Sequence, residues 1–89
     1  MNRLIQKVNK AYDAYVQKEN REPKYAVCKV LFTEDTSPYT VAVKLNTKKD
    51  RDDKKVFCYT SNITDFTHLM VEGDENFTIT ELIEFTDTI

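Results

Sequence analysis

The apolar residues near the amino terminus recur with the period of an α-helix, and this pattern constrains the fold more than any other feature of the sequence. They lie on one helical face, which comprises Leu4, Ile5, Val8, Ala11, Tyr12, Tyr15 and Val16. The opposite face carries charged and amide side chains. Pro23 bars a longer helix, because proline lacks a backbone N–H and its ring clashes with the preceding turn. The sequence therefore predicts an amphipathic helix over residues 3–18.

Three strand patterns follow this helix. Residues 25–33 carry β-branched and aromatic side chains with apolar residues on both faces, so we expect a central strand, or one covered on its second side by a helix or a partner. After the turn-forming residues 34–38, apolar and polar residues alternate over 39–46, which predicts a hairpin with one solvent-exposed face. A third strand is predicted over 55–60, after a charged loop at 47–54.

The carboxy-terminal third predicts a second helix and a last strand. Asn62 precedes an apolar helical stripe as an N-cap residue does, and Gly73, the only glycine, lies where the residue after a helix belongs. Alternation then predicts a strand with one face formed by Phe77, Ile79, Glu81, Ile83 and Phe85, although a short helix over 80–85 is an alternative.

The order helix, three strands, helix, strand predicts one α+β domain over residues 1–89. Links of hairpin length favour a three-stranded antiparallel meander, with the two helices on one face of the sheet. No apolar run reaches the roughly 18 to 20 residues of a membrane span, and no signal-peptide pattern opens the chain, so we expect a cytoplasmic protein that does not contact membranes. Cys28 and Cys58 are expected to be reduced apolar side chains, with a disulfide between neighbouring strands as the alternative.

Positive and negative residues are separated along the chain. Every lysine and arginine lies between Arg3 and Lys55, where thirteen basic residues and eight acidic ones give a net charge of +5. From Val56 to Ile89 there are seven acids and no basic residue, a net charge of −7. Such asymmetry predicts either an acidic face that attracts basic surfaces or the pairing of the two halves within the fold.

The sequence lacks the patterns of common catalytic and metal sites. His68 is the only histidine, no CxxC pair is present, and Cys58 lies on a different predicted element from His68. Residues 50–53 begin like a calcium loop, but Lys55 occupies the position that needs glycine. With one glycine in the chain, both phosphate-binding fingerprints are absent. We therefore expect neither an enzyme nor a bound metal or cofactor.

One resemblance to known proteins extends over the whole chain and rests on its general character, without a diagnostic motif. The segment Val56-Phe57-Cys58-Tyr59 runs into a predicted short helix, and an acidic, threonine-rich stretch covers residues 72–89. Together with the scarcity of glycine, these features make the chain similar to small accessory proteins from phages and mobile elements of low-GC bacteria. Some of those proteins inhibit host defence nucleases, in the manner of anti-CRISPR proteins, by presenting acidic surfaces to basic nucleic-acid grooves. The resemblance implies an inhibitory role without assigning roles to residues.

The first functional hypothesis is a non-catalytic inhibitor or adaptor whose acidic surface docks on a basic site of a host protein. The expected contacts are the carboxylates of the last third together with two aromatic anchors: Glu72, Asp74, Glu75, Glu81, Glu84, Asp87, Tyr59 and Phe77.

Two alternatives come from other classes. A weak nucleic-acid binder would use the first helix and a basic loop that contains Lys48, Lys49, Arg51, Lys54 and Lys55. The element order is that of the double-stranded-RNA-binding domain, but residues 61–65 are acidic where that module has lysines. The other alternative is a structural protein that self-associates through the second apolar face of the first strand, formed by Tyr25, Val27 and Leu31. The chain is thus expected to be a monomer or a homodimer.

Overall fold

The computed structural model describes residues 3–45, 58–60 and 62–88. Two helices and four strands follow the predicted order: α1 (Arg3–Glu19), β1 (Tyr25–Phe32), β2 (Tyr39–Leu45), β3 (Cys58–Thr60), α2 (Ile63–Glu72) and β4 (Phe77–Thr86). The α+β class is confirmed. The predicted loop at 47–54 and the start of the third strand lie outside the described residues.

Helix α1 packs through its apolar face and ends where the sequence indicates. Val8 is completely buried, and Tyr12 makes an edge-to-face contact with Phe85 at 5.7 Å between ring centroids. The chain leaves the helix at Asn20, which has a φ of 56° and donates its N–H to the carbonyl of Val16 at 2.8 Å. Asparagine tolerates this left-handed conformation, so it serves as the helix stop before the proline.

Strand β1 is one of the two inner strands of the sheet, in agreement with the central position that its two apolar faces predict. It pairs antiparallel with β2 on one side and with β4 on the other, and the order across the sheet is β3-β2-β1-β4. The β3 strand lies beside β2, as in the predicted meander, but it runs parallel to β2 and pairs Cys58 with Val43. This corrects the expected antiparallel direction. The intervening twelve residues, 46–57, are long enough for a parallel crossover.

Helix α2 has the two caps that its sequence predicts. The Asn62 side chain accepts a hydrogen bond from the backbone N–H of Asp65 at 3.1 Å, which satisfies one of the free donors of the first turn. At the other end, Gly73 has a φ of 74° and donates its N–H to the carbonyl of Leu69 at 2.7 Å. Phe66 and Met70 are buried on the face between these caps.

The last element is a strand throughout, and the helical alternative for residues 80–85 is wrong. Its predicted alternation is also wrong, because the buried residues are every third one: Ile79, Leu82 and Phe85. Two register shifts against β1 explain this spacing, since Thr80 and Ile83 have no partner in the ladder. Each skipped residue forms a β-bulge, and the bulge turns the next apolar side chain back towards the core. Ile83, predicted on the inner face, is 47% exposed.

Both helices cover one face of the sheet, as predicted. Val8 of α1 and Phe66 of α2 form one cluster with Ala26, Cys28 and Val30 of β1. Cys28 is buried and forms no disulfide. A disulfide with Cys58 is excluded, because β2 lies between their strands and two strand spacings, about 9.6 Å, exceed disulfide reach.

The opposite face of β1, β2 and β4 is the open sheet face. Its residues, fixed by the strand registers, are Tyr25, Val27, Lys29 and Leu31 of β1, Thr40, Ala42 and Lys44 of β2, and Thr78, Glu81, Glu84 and Thr86 of β4. No helix in the described part of the chain packs on this face.

Candidate protein-binding surface

Two acidic loops meet at one end of the sheet. The turn after β1 contains Glu34 and Asp35, and the link between α2 and β4 contains Glu75. Thr33 joins these loops, because its hydroxyl donates to the carbonyls of Glu75 at 3.2 Å and Asn76 at 3.1 Å. Its backbone N–H also donates to the carbonyl of Asn76 at 3.1 Å. Carboxylates that are distant in the sequence are therefore held on one surface.

Each loop is also fixed by its own hydrogen bonds. The Asp74 carboxylate accepts the backbone N–H of Asn76 at 3.1 Å, and the Asp74 N–H donates to the carbonyl of Phe77 at 2.7 Å. In the other loop, the N–H of Asp35 donates to the carbonyl of Phe32 at 3.0 Å. Acidic side chains favour such turns because they bond to nearby backbone donors. The surface is therefore largely preformed.

We call this surface the acidic end, and it comprises Glu34, Asp35, Glu72, Asp74 and Glu75. Asp35 is half-buried and the other four are exposed. Within residues 3–45, 58–60 and 62–88, none of the five forms an ion pair with a lysine or an arginine. Among the described residues, His68 lies beside them, and its Nε2 is 3.0 Å from a carboxylate oxygen of Glu72. Concentrated charge of one sign produces a potential that attracts the opposite sign.

Aromatic rings adjoin the acidic end. Tyr39 is 53% exposed and contacts Phe32 edge to face at 5.9 Å, and Phe32 lies 6.0 Å from Phe77. Phe77, one of the predicted anchors, is half-buried against the core. Sequence reasoning also missed Tyr39, which presents the accessible ring. A shallow depression of about 290 Å³ beside these rings is lined by Phe32, Thr33, Glu34, Asp35 and Asn76.

Only half of the six predicted carboxylates lie at the acidic end. Glu72, Asp74 and Glu75 are there, but Glu81 and Glu84 lie on the open sheet face. Glu81 pairs with Lys29, with 3.7 Å between Nζ and Oε2. Asp87 lies beyond the last residue of β4 and pairs with Arg21 at 3.1 Å. The two oppositely charged halves of the sequence therefore neutralise each other at these pairs, while Glu34 and Asp35 join the acidic end from the basic half.

The remaining predicted residues lie elsewhere. Tyr59 belongs to β3, where its backbone pairs with Lys44, so two strands separate it from β4. The basic residues of the nucleic-acid hypothesis, from Lys48 to Lys55, lie outside the described residues.

A second depression lies beside α1. It has a volume of about 380 Å³ and is lined by Tyr12, Asp13, Val16, Gln17 and Glu22. Burial raises the pKa of Tyr12 to about 12, and the hydrogen bond that its hydroxyl donates to Glu22 at 2.8 Å adds to the effect. The phenol therefore stays protonated near neutral pH and serves as a structural donor.

Metal-ligand clusters and membrane-spanning helices are both absent from the described part of the chain. No three His, Cys, Asp or Glu side chains converge there as metal ligands. Neither of the two helices there is long and apolar enough to cross a membrane.

Comparison with known proteins adds no relative. The chain matches no family model, no curated protein and no solved structure.

Proposed function

We propose that this chain is a non-catalytic protein-binding module whose acidic end docks on a basic surface of another protein, where it acts as an inhibitor or adaptor. One observation carries the proposal. Thr33 hydrogen-bonds to Glu75, 42 residues further along the chain, and so joins two acidic loops into one carboxylate surface beside an exposed tyrosine.

The electrostatics of the acidic end support recognition better than stability. Like charges held close together repel one another and oppose folding, whereas complementary charge on a partner raises the association rate and discriminates against wrong partners. Other carboxylates of the same molecule are neutralised, since Glu81 pairs with Lys29 and Asp87 pairs with Arg21. Binding through the acidic end is expected to weaken as salt concentration rises, because exposed charges are screened over about 8 to 10 Å at physiological ionic strength.

Tyr39 supplies the anchor of the proposed interface. Residues that dominate binding energy are often tyrosine, tryptophan or arginine surrounded by a polar rim. The contact with Phe32 holds the Tyr39 ring in place, so little side-chain entropy is lost on binding. The face of a tyrosine also attracts a guanidinium or ammonium group. A partner surface with arginine or lysine side chains fits both the ring and the carboxylates.

The inhibitory role rests on the resemblance to phage and mobile-element accessory proteins. A basic groove that holds nucleic acid in a host nuclease has the charge that this surface would recognise, so the proposed partner is a protein of that kind. A cytoplasmic location belongs to the same proposal, and the buried Cys28 supports it, since cysteines that form no disulfide are usual in reducing compartments.

Charge reversals at Glu34 and Glu75 test the proposal. Both side chains are exposed, and neither makes a hydrogen bond or ion pair among the described residues, so the fold should tolerate lysine at either position. Asp13→Lys is the matched control for each single reversal, because Asp13 is exposed on α1 and each substitution replaces one carboxylate by one ammonium group. Proteins retained from an extract of the source cell by the immobilised wild type are identified, and the affinity of each variant for the retained protein is then measured.

We expect the double variant Glu34→Lys, Glu75→Lys to bind at least about tenfold more weakly, and Asp13→Lys to bind like the wild type. Tyr39→Ala should weaken binding by a similar factor. Equal affinity of the double variant and the wild type at low salt would refute the proposed surface. Retention of nucleic acid in place of a protein, with loss on neutralising Lys48, Lys49 and Lys54, would favour the nucleic-acid alternative.

A further inference from the structure

The shallow depression beside Phe32 lies where the two acidic loops meet. Phe32 ends β1, the turn that follows contributes Thr33, Glu34 and Asp35, and Asn76 comes from the link between α2 and β4. Thr33 donates three hydrogen bonds to carbonyl groups of that link, at 3.1 to 3.2 Å. The walls of the depression are therefore held in position before a partner binds, which lowers the entropy lost on binding.

The size of the depression suits one side chain. Its volume of about 290 Å³ is just below the roughly 300 to 1,000 Å³ of pockets that enclose small-molecule ligands. Because the depression is shallow, a small molecule held there would keep much of its surface in water. A side chain that projects from a partner protein meets these limits better, since the partner covers the rest.

The residues around the depression favour a flat cation. Glu34 and Asp35 supply carboxylates, and neither pairs with a lysine or an arginine in the part of the chain that the structure describes. Phe32 adds an aromatic ring, and the exposed side chain of Asn76 adds an amide oxygen that accepts hydrogen bonds.

These lining groups distinguish arginine from lysine. The guanidinium group of arginine is planar, donates to carboxylates through parallel N–H groups, stacks on aromatic rings and is weakly hydrated. The ammonium group of lysine is a compact, strongly hydrated charge without a flat face. Carboxylates beside an aromatic ring therefore favour arginine.

The depression beside α1 is less suited to a cation. It also contains two carboxylates, Asp13 and Glu22, but Glu22 already accepts the hydrogen bond from Tyr12 at 2.8 Å. A guanidinium group there would compete with the phenol for the same carboxylate.

We propose that the depression between the two acidic loops receives one arginine side chain of the partner protein and accepts it in preference to lysine. This inference rests on the proposed function, because it assigns the chemistry of the side chain that the acidic end binds. The guanidinium group bonds to the carboxylates of Glu34 and Asp35 and lies against Phe32. Since Phe32 contacts Tyr39, the arginine lies next to the exposed anchor of the interface.

Peptides of equal charge test the preference. Hexa-arginine, hexa-lysine and a hexamer of symmetric dimethylarginine are each titrated into the wild-type chain at low salt by isothermal titration calorimetry. Methylation keeps the charge of arginine but blocks bidentate hydrogen bonding. Hexa-arginine is expected to bind at least about fivefold more tightly than hexa-lysine, and the methylated peptide should lose most of that advantage.

A substitution inside the depression locates the preference. Asn76→Leu adds an aliphatic side chain there without changing the charge, and the backbone hydrogen bonds of Asn76 do not involve its side chain. Asn9→Leu is the matched control, because Asn9 is exposed on α1. Asn76→Leu should bind hexa-arginine only about as tightly as hexa-lysine. Unchanged affinity for hexa-lysine shows that the variant is folded, and Asn9→Leu should keep the full preference.

Equal affinity of the wild type for hexa-arginine and hexa-lysine would overturn the arginine site and leave the acidic end as a docking surface for cations in general. An arginine preference that persists in Asn76→Leu, or that survives methylation, would also overturn it. Failure of both peptides to bind would refute the proposed function as well.

Discussion

Replacing Leu82 or Ile83 by alanine tests the bulged register of β4. Leu82 is 2% exposed and packs in the core, whereas its neighbour Ile83 is 47% exposed. Regular alternation from Phe77 would place Ile83 inside and Leu82 outside. The two substitutions therefore separate the observed register from the one that simple alternation predicts.

The two substitutions should lower the free energy of unfolding by clearly different amounts. Truncating a buried leucine loses its transfer free energy and leaves a cavity, so Leu82→Ala should lower the free energy of unfolding by about 3 kcal/mol, within the usual range of 2 to 5. Ile83 keeps nearly half of its surface in water, so Ile83→Ala should cost about 1 kcal/mol or less. A domain of this size is stable by roughly 4 to 13 kcal/mol, so Leu82→Ala is a large but measurable loss.

Urea denaturation followed by circular dichroism measures both changes, at about 1 µM protein so that self-association contributes little. Leu82→Val, with a smaller cavity, replaces Leu82→Ala if the latter is largely unfolded in water. An Ile83→Ala cost equal to or greater than that of Leu82→Ala would refute the bulged register.

Three further predictions concern the helix caps and one tyrosine. Asn62→Ala should cost about 0.5 to 2 kcal/mol in urea denaturation, whereas Asn62→Asp, which keeps an acceptor, should cost little, and equal losses would contradict the cap. Gly73→Ala should cost about 1 to 3 kcal/mol, because φ is 74° and the added Cβ would lie 3.0 Å from the hydroxyl oxygen of Thr78; an unchanged midpoint would exclude this strain. The pKa of Tyr12 is raised to about 12, so the folded state holds its proton more tightly than the unfolded state, and stability should fall as pH rises from about 10 to 12. In Tyr12→Phe, the free energy of unfolding should no longer show this fall between pH about 10 and 12. An unchanged dependence of the unfolding free energy on pH would contradict the contact with Glu22.

Elements with strong local signals were predictable from the sequence. The helical period and the proline after it determine α1, and Asn62 and Gly73 mark the two ends of α2. The apolar character of both faces of residues 25–33 indicates the central position of β1. In each case the residues that determine the element lie within that element or next to it in the sequence.

The differences between prediction and structure arise from pairing over long distances. The direction of β3 depends on how residues 46–57 connect it to β2, and a strand pattern is the same in either direction. In β4, the spacing of Ile79, Leu82 and Phe85 is close to a helical period, which explains why a helix over 80–85 competes in the sequence. Eight register pairs with β1 make the segment a strand, and the two bulges absorb the mismatch.

The acidic end was only partly predictable, for a similar reason. Charge counting along the chain identifies Glu72, Asp74 and Glu75. Glu34 and Asp35 have an ordinary explanation as turn formers, and the sequence does not reveal that Thr33 ties their loop to residue 75. Counting also selected Glu81 and Asp87, which the fold pairs with basic residues.

The most direct test of the proposed docking surface maps binding residue by residue. An isotope-labelled sample is titrated with a short oligo-arginine peptide at low salt, and the backbone amide resonances are followed by NMR. The account predicts that the largest shifts fall at Glu34, Asp35, Tyr39 and Glu75, and that they diminish as salt is added. Larger shifts along α1 or across the open sheet face, or shifts spread evenly over all exposed carboxylates, would contradict it.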